Sequence, residues 1–437
     1  MTRRPRPVLD SAALLPRRKI LEGGLAGFAA AMMARVLPGC DGGGGTDAGP
    51  GATDAGFDAG LDAGPPAPVV FEPRDVPARP SLVSRIAELG PLGEPDANGV
   101  RVPVGFTSRV VARSGEPVAG TSYTWHRAPD GGATYVTEDG GWIYVSNAEL
   151  PLIGGVGALR FDASGAIVAA YPILERTMVN CAGGATPWHS WLSCEEIARG
   201  HVYECDPWGE REPVVRPALG VFKHEAAAVD PVNAHVYLTE DESDGRFYRF
   251  VPAERTRHGH PDLNAGTLEV ASVDTDGNVR WLTVPDPTYA GTVPTAGQVA
   301  DSTRFRGGEG IWYHAGVVYF ATKGDNRVWA YDIASATLEI IYEHATSDTP
   351  ILRGVDNVTV SCCGDVLVAE DGGSMQIVAI LPSGEPRALV QVVGHDESEI
   401  TGPAFSPDGT RLYFSSQRGA TGAGVTFEIT GPFHAPA

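Results

Sequence analysis

Positive charge is scarce in this chain. Lys and Arg number 33 against 54 Asp and Glu over 437 residues, a formal net charge of −21. A surface of that sign repels phosphate backbones and anionic lipid, so nucleic acid is excluded as a partner. No apolar run is long enough for a stable membrane span. No Gly-x-Ser-x-Gly elbow is present, which argues against a serine hydrolase of the α/β type. The four glycines at 42–45 follow no strand and open no helix, so they form no phosphate loop. Cysteine is limited to six residues. What the chain does have is glycine (55) and proline (35), about a fifth of all residues, which favours a turn-rich, all-β protein over a helical one.

The acidic excess begins after residue 40. Before it stand Arg3, Arg4, Arg6, Arg17, Arg18, Lys19 and Arg35, against Asp10 and Glu22. Arg17-Arg18, Ile20-Leu21, a short weakly apolar run and Leu37-Pro38-Gly39-Cys40 resemble a bacterial twin-arginine signal that ends in a lipoprotein cleavage box. Residues 1–40 are therefore expected to direct export to the periplasm or cell surface, with Cys40 as a point of lipid anchoring. Residues 41–69 repeat Asp-Ala-Gly with almost no core-forming side chains and read as a disordered tether. The folded domain is expected over 70–437.

Six short apolar runs in that domain end in a polar or acidic cluster: GWIYVSNAE (141–149), HSWLSCEE (189–196), AHVYLTEDE (234–242), GVVYFATKGD (316–325), GDVLVAEDG (364–372) and TRLYFSSQRG (410–419). Each reads as a strand. Most successive copies lie 46 to 48 residues apart; one gap is 82, and its excess in the Pro-rich stretch 253–304 reads as an insertion. Upstream partner segments are joined to the runs by turns such as Asp230-Pro231-Val232-Asn233 and Ser406-Pro407-Asp408-Gly409. A repeat of this length built from consecutive short strands predicts an all-β, six-bladed β-propeller. Strand-like Val102–Ala112 and Gly424–Thr430 are expected to share the closing blade. A pair of β-sandwiches would not explain the common period.

Innermost strands of a propeller line one channel. Cys181 to Glu195, Glu309 to Lys323, Asp356 to Glu370 and Thr401 to Ser415 are each fourteen residues apart, and Glu225 to Glu240 is fifteen. A hairpin returning at that distance brings its ends side by side at one channel mouth. The expected ring holds Asn147, Glu149, Cys181, Glu195, Glu196, Glu225, Glu240, Asp241, Glu309, Asp356, Asn357, Glu370 and Asp371, with the basic Lys323 and Arg418. So many converging carboxylates are costly unless they point into water or cations neutralise them. Oxygen ligands suit Ca2+, and a thiolate among carboxylates suits a transition metal such as Fe3+. The expected metal ligands are Glu149, Cys181, Glu195, Glu196, Glu225, Glu240, Asp241, Glu309, Asp356 and Glu370. Lys323 and Arg418, the cations of the ring, and Asn147 are the candidate catalytic residues.

With Cys40 assigned to lipid, Cys181 is the free ligand candidate. Cys194 and Cys205 are candidates for a disulfide across a hairpin, and the vicinal Cys362-Cys363 have no assignment. His224 beside Glu225 is a candidate ligand or general acid, although a histidine entering a strand is more often structural. His126, His189, His314 and His395 stand singly and carry no role.

The segments NCAGGATPWHSWLSCEE, FKHEAAAVDP with VYLTEDESDGRFYRFVP, GGEGIWYH, VDNVTV with VAEDGG, and ITGPAFSPDGTRLYFSSQRG resemble the PhoX-type alkaline phosphatases and their shorter relatives. The resemblance covers roughly residues 100–430 through five ordered motifs. It implies a six-bladed propeller, export by the twin-arginine route, and a calcium-and-iron cluster that hydrolyses phosphomonoesters. The motif cysteine falls on Cys181, the paired acids on Glu195 and Glu196, the acid of the Lys-His-Glu motif on Glu225, and the later acids on Glu240, Asp241, Glu309, Asp356 and Glu370. His189 departs from the glycine of many relatives, and Ala148 separates Asn147 from Glu149 where others carry histidine.

The reading that follows is an exported, monomeric metallophosphatase acting on a small phosphomonoester. Two alternatives stand beside it: a non-catalytic propeller whose calcium staples the blades while its outer face binds a cell-surface partner, and a lactonase-like propeller hydrolase with one central calcium, which would not need Cys181.

Overall fold

A computed structural model describes residues 69–437; the twin-arginine segment, Cys40 and all but the last residue of the expected tether lie outside the described residues. Six antiparallel sheets follow one another along the chain. Blade 1 is built from Pro129–Val136, Trp142–Ala148, Gly154–Phe161 and Ile167–Thr177. Blade 2 uses Asn180–Ala185, Trp191–Glu195, Val202–Cys205 and Val214–Val215. In blade 3 the strands are His224–Asp230, His235–Glu240, Phe247–Pro252, Gly266–Val273 and Val279–Thr283. Blade 4 is Gly308–His314, Val317–Thr322, Arg327–Asp332 and Thr337–Glu343. Blade 5 is Val355–Val360, Val366–Glu370, Gln376–Ile380 and Pro386–Val392, extended by the early strand Val100–Arg101.

Blade 6 closes the ring. Its first three strands are Ile400–Phe405, Arg411–Ser416 and Val425–Thr430, and its outermost strand is Thr107–Arg113, paired from Thr107↔Thr430 to Arg113↔Val425. The sharing of one blade by both ends of the domain is thus as the sequence implied. Part of the stretch taken as an insertion is regular blade structure, because the fourth strand of blade 3 (Gly266–Val273) and a fifth lie within 253–304. Charged and turn residues there masked a strand whose apolar positions, Leu268, Val270 and Ala271, are buried.

Stability comes from between the blades. Six apolar clusters fill the six interfaces, for example Leu192, Cys194 and Val202 of blade 2 against Val236, Leu238 and Tyr248 of blade 3. Such sheet-on-sheet burial is the main driving force for a fold made of short strands. Cys194 faces blade 3 while Cys205 faces blade 1, because they stand opposite Val202 and Trp191, an odd number of pairs apart. The disulfide expected between them therefore does not form, and all five described cysteines are free thiols.

Candidate metal centre

One irregularity recurs in every blade. Pairing of the first strand with the second slips between Pro129 and Gly132, Asn180 and Gly183, His224 and Ala227, Gly308 and Ile311, Val355 and Val358, and Thr401 and Ala404. A β-bulge of this kind puts two residues opposite one and re-aims a side chain. In the first five blades the residues so placed are Asp130, Cys181, Glu225, Glu309 and Asp356; the corresponding Thr401 of blade 6 is still paired with Ser415, and all six are buried. Each is followed by a small residue or Asn: Gly131, Ala182, Ala226, Gly310, Asn357 and Gly402. These line a cavity of about 20 Å³, roughly one water's room, so small side chains from all six blades pinch the channel there. Size is enforced: a Cβ on Gly131 would lie 2.5 Å from Cα of Ala182, and one on Gly310 would lie 2.2 Å from N of Val358.

The second strands return beside these positions. Their last residues pair with the residue before the bulge: Asn180↔Glu195, His224↔Glu240 and Val355↔Glu370. Strand alternation then sends the next residue, not the pairing one, toward the channel. Glu196, Asp241 and Asp371 accordingly join Glu149 and Lys323 at the mouth, and blade 6 contributes Gln417.

Nine groups meet there. Ligand atoms of Asp130, Glu149 and Cys181 lie within 4.8 Å of one another, as do those of Cys181, Glu196 and Glu225, of Glu225, Glu309 and Asp356, and of Asp356, Asp371 and Glu399. Because each set shares a residue with the next, the four form one arc around the channel. The Cys181 thiol donates to Oε1 of Glu225 at 3.3 Å. Lys323 Nζ lies 3.3 Å from Glu309, 2.9 Å from Asp356 and 3.0 Å from Asp371. Lys223 Nζ lies 2.7 Å from Glu196 and 2.9 Å from Asp241. These are two of the three lysines in the whole chain. Nε2 of Gln417 donates to Asp130 and to Glu149, each at 2.6 Å.

Electrostatics reflect the crowding. Burial, with added repulsion from neighbouring carboxylates, pushes Asp130, Glu225, Glu309 and Glu399 well above the usual carboxylate range. Glu196 is pushed up to about 8, chiefly by burial and against the pull of Lys223. Burial and the same acids also push the Cys181 thiol up. Asp241 and Asp371 are only half-buried; partial burial pushes them up, yet Lys223 and Lys323 respectively hold them below the usual range. A cation would reverse the first set of shifts. The donor set fits one: eight carboxylates and a thiol, with Oε1 of Glu309 buried and, apart from the Lys323 ammonium at 3.3 Å, without a hydrogen-bond partner.

Of the residues expected at the ring, Glu149, Cys181, Glu196, Glu225, Glu309, Asp356 and Asp371 are in these sets, and Asp241 adjoins them through Lys223. Glu195, Glu240 and Glu370 are not brought into them. Glu195 accepts from the backbone N–H of Met178 and His201, Glu240 from the Arg246 N–H and the Tyr248 hydroxyl, and Glu370 from the N–H groups of Arg353, Ser374 and Gln376. They tie down the loops that follow their strands. Asn147 is fully buried and spans blades: its amide donates to the carbonyls of Cys181 and Ala182, and its oxygen accepts from Trp191 and Ser193. Arg418 is exposed and pairs with Glu399 at 3.0 Å. His224 is buried and bonded to the carbonyl of Gly220, and burial pushes it down to about 3. His189 has φ of 69°, the left-handed region that favours glycine.

Asp130, Glu399, Gln417 and Lys223 escaped the sequence reading. Asp130 sits nineteen residues before Glu149, outside the fourteen-residue rule, although its place before Gly131-Gly132 matches the acid-then-small pattern of Glu225-Ala226 and Glu309-Gly310.

The sequence profile of the family described as alkaline phosphatase PhoX matches residues 165–205 and 198–419, more than half of the chain. No curated protein sequence matches. Among solved structures, Pseudomonas fluorescens PhoX in complex with vanadate, a transition-state analogue, superposes with a TM-score of 0.64 at 18% identity, covering 80% of this chain and 98% of that one. A gluconolactonase from Xanthomonas campestris matches with a TM-score of 0.42 at 12% identity, over 82% of this chain and 99% of that one.

Proposed function

Since this chain belongs to the PhoX alkaline phosphatase family, we propose that it is a metal-dependent phosphomonoesterase whose reaction takes place at the carboxylate and thiol ring. The observation that carries the reading is the convergence of nine metal-ligating groups from all six blades on one channel mouth. Asp130, Glu149, Cys181, Glu196, Glu225, Glu309, Asp356, Asp371 and Glu399 would hold the metals, with iron beside Cys181 and calcium among the carboxylates. Bound there, such cations polarise phosphoryl oxygens and lower the pKa of a coordinated water.

The chain's own residues do the rest. The exposed guanidinium of Arg418 stands at the mouth, where it can pair with phosphate oxygens in a fork. Lys323 and Lys223 keep their protons among carboxylates and limit the net negative charge that a phosphate must approach. The pinched channel floor keeps the leaving alcohol on the open side. Asn147 acts as a positioning residue, fixing the backbone of Cys181 and Ala182 against blade 1. The vanadate of the Pseudomonas structure is consistent with a phosphoryl group as the species such a propeller recognises. The reading also takes the enzyme to be a monomer, and to be exported by the twin-arginine route with Cys40 available for lipid; the N-terminal sequence supports the export alone.

Elemental analysis of purified protein beside a phosphomonoesterase assay tests this. Calcium, iron and hydrolysis of p-nitrophenyl phosphate are expected together. Metal-loaded protein without hydrolysis of any phosphomonoester would instead identify a stapled, non-catalytic propeller, and full activity without metal would overturn the centre itself.

A further inference from the structure

The inner hairpin of blade 5 carries chemistry at its far end as well. Between Val355–Val360 and Val366–Glu370 runs the turn Ser361-Cys362-Cys363-Gly364-Asp365. Beside it the two ends of the domain are clasped together, Leu82–Ser84 pairing with His434–Pro436. The sulfurs of Cys362 and Cys363 are 3.8 Å apart, and they and a ring nitrogen of His434 all lie within 4.8 Å of one another.

The histidine is prepared in a specific way. Its Nδ1 lies 2.9 Å from the carbonyl of Gly409, which can only accept, so Nδ1 carries the proton. Nε2 faces the Asp365 carboxylate, an anion that His434 helps to hold below the usual range and that would equally favour a cation at this nitrogen. It is buried and has no hydrogen-bond partner; Asp365 Oδ2, at 3.6 Å, is beyond hydrogen-bond reach. A neutral imidazole oriented through its other nitrogen by a backbone carbonyl is the state in which histidine binds a metal.

We propose that Cys362, Cys363 and His434 form a second metal site, selective for a zinc-class divalent cation. Two zinc–thiolate bonds of about 2.3 Å at a tetrahedral angle place their sulfurs about 3.8 Å apart, which is the spacing found. Thiolates and imidazole select a softer cation than the carboxylate ring does. Cys362 is exposed, so solvent reaches the fourth position. Occupied, the site ties the blade 5 turn to the last strand of the chain. The thiol of Cys363 also lies 3.3 Å from the carbonyl of Leu82, which brings the first strand to the same point.

Titration of the reduced full-length protein with cobalt(II) reads the site through thiolate-to-cobalt charge-transfer absorption. The band should survive Cys181→Ser, be displaced by zinc, and vanish in the Cys362→Ser/Cys363→Ser double variant. His434→Gln should weaken cobalt binding by at least about tenfold. Should that buried substitution prevent folding, the exposed Cys362→Ser alone decides: loss of the band supports the site, and an unchanged band overturns it. A band lost with Cys181→Ser but indifferent to Cys362 and Cys363 would assign the thiolate chemistry to the channel ring instead. Recovery of Cys362 and Cys363 as a mutual disulfide in protein that takes up no cobalt would likewise overturn the proposal.

Discussion

The two arcs of the channel ring solve the same charge problem differently. Around Cys181, the acids Asp130, Glu149 and Glu225 are backed by the neutral amide of Gln417 and by each other, with Lys223 reaching only as far as Glu196. On the other side, Glu309, Asp356 and Asp371 surround the ammonium of Lys323, and Arg418 covers Glu399. The difference teaches where external cations matter most. The Lys323 arc is partly neutralised by the chain itself, whereas the Cys181 arc stays electrically balanced only by taking up protons or metal. That contrast also fits the softer donor being on the arc with fewer built-in cations.

The sharpest way to break the comparison is at Cys181. Cys181→Ser removes the thiol and keeps every carboxylate, so iron and phosphomonoesterase activity should fall together, activity by about a hundredfold or more, while calcium and the fold remain. Equal iron and equal activity in the variant would show that the thiol arc is not the reactive one.

Chelation acts on both arcs. Stripping the metals should lower the melting temperature by about ten degrees, since ligands bound only to the native state stabilise it by mass action and their loss also restores carboxylate repulsion. A melting curve unchanged after verified removal would mean that the acids are already neutral or solvated. Lys323→Met separates the arcs: metal-free protein should melt several degrees lower, and added calcium should recover more of that loss than it does for Lys223→Met. Identical behaviour of the two variants would erase the distinction drawn here.

The smallest effect is on pH. In the metal-free protein Glu196 titrates near 8 and Glu240 and Glu370 near 7, raised by burial above the unfolded value of about 4.3. The native state therefore binds more protons than the unfolded one across this interval, so stability should fall as pH rises from about 5 to 8. Thermal melts at those two pH values, before and after metal loading, check this; the part of the slope due to Glu196 should disappear once a metal holds it ionised, and the part due to Glu240 and Glu370, which lie outside the ligand sets, should remain.

How much of this was legible beforehand divides along the same physical line. Blade number, the shared closing blade and the channel mouth follow from apolar runs and turn residues, which announce strands wherever they occur. Which member of each adjacent pair of acids faces the channel did not follow, although the expected ring held both: the bulge recurs in all six blades, but the turn joining the two strands differs in length and so decides whether Glu195 or Glu196, Glu240 or Asp241, Glu370 or Asp371 points inward. Glu309 and Lys323 kept the simple spacing, and both stand in the ring; Glu195, Glu240 and Glu370 did not, and the neighbours Glu196, Asp241 and Asp371 stand there instead. Gln417 was hidden for a different reason. Its role depends on blade 6 meeting blade 1, a contact between residues nearly three hundred positions apart that no local pattern encodes.

That last contact has a consequence in time. Asp130 belongs to the first blade to leave the ribosome and Gln417 to the last, and the outermost strand of the closing sheet, Thr107–Arg113, must wait for Val425–Thr430 before it has a neighbour. A nascent chain can assemble the intervening blades in order, but that early strand idles unpaired until blade 6 is made, and long-range pairings of this sort are the slow step of β folding. The acids of the channel consequently meet only in a finished polypeptide. A prematurely terminated product would carry many of the acids and yet be unable to gather them into one ring.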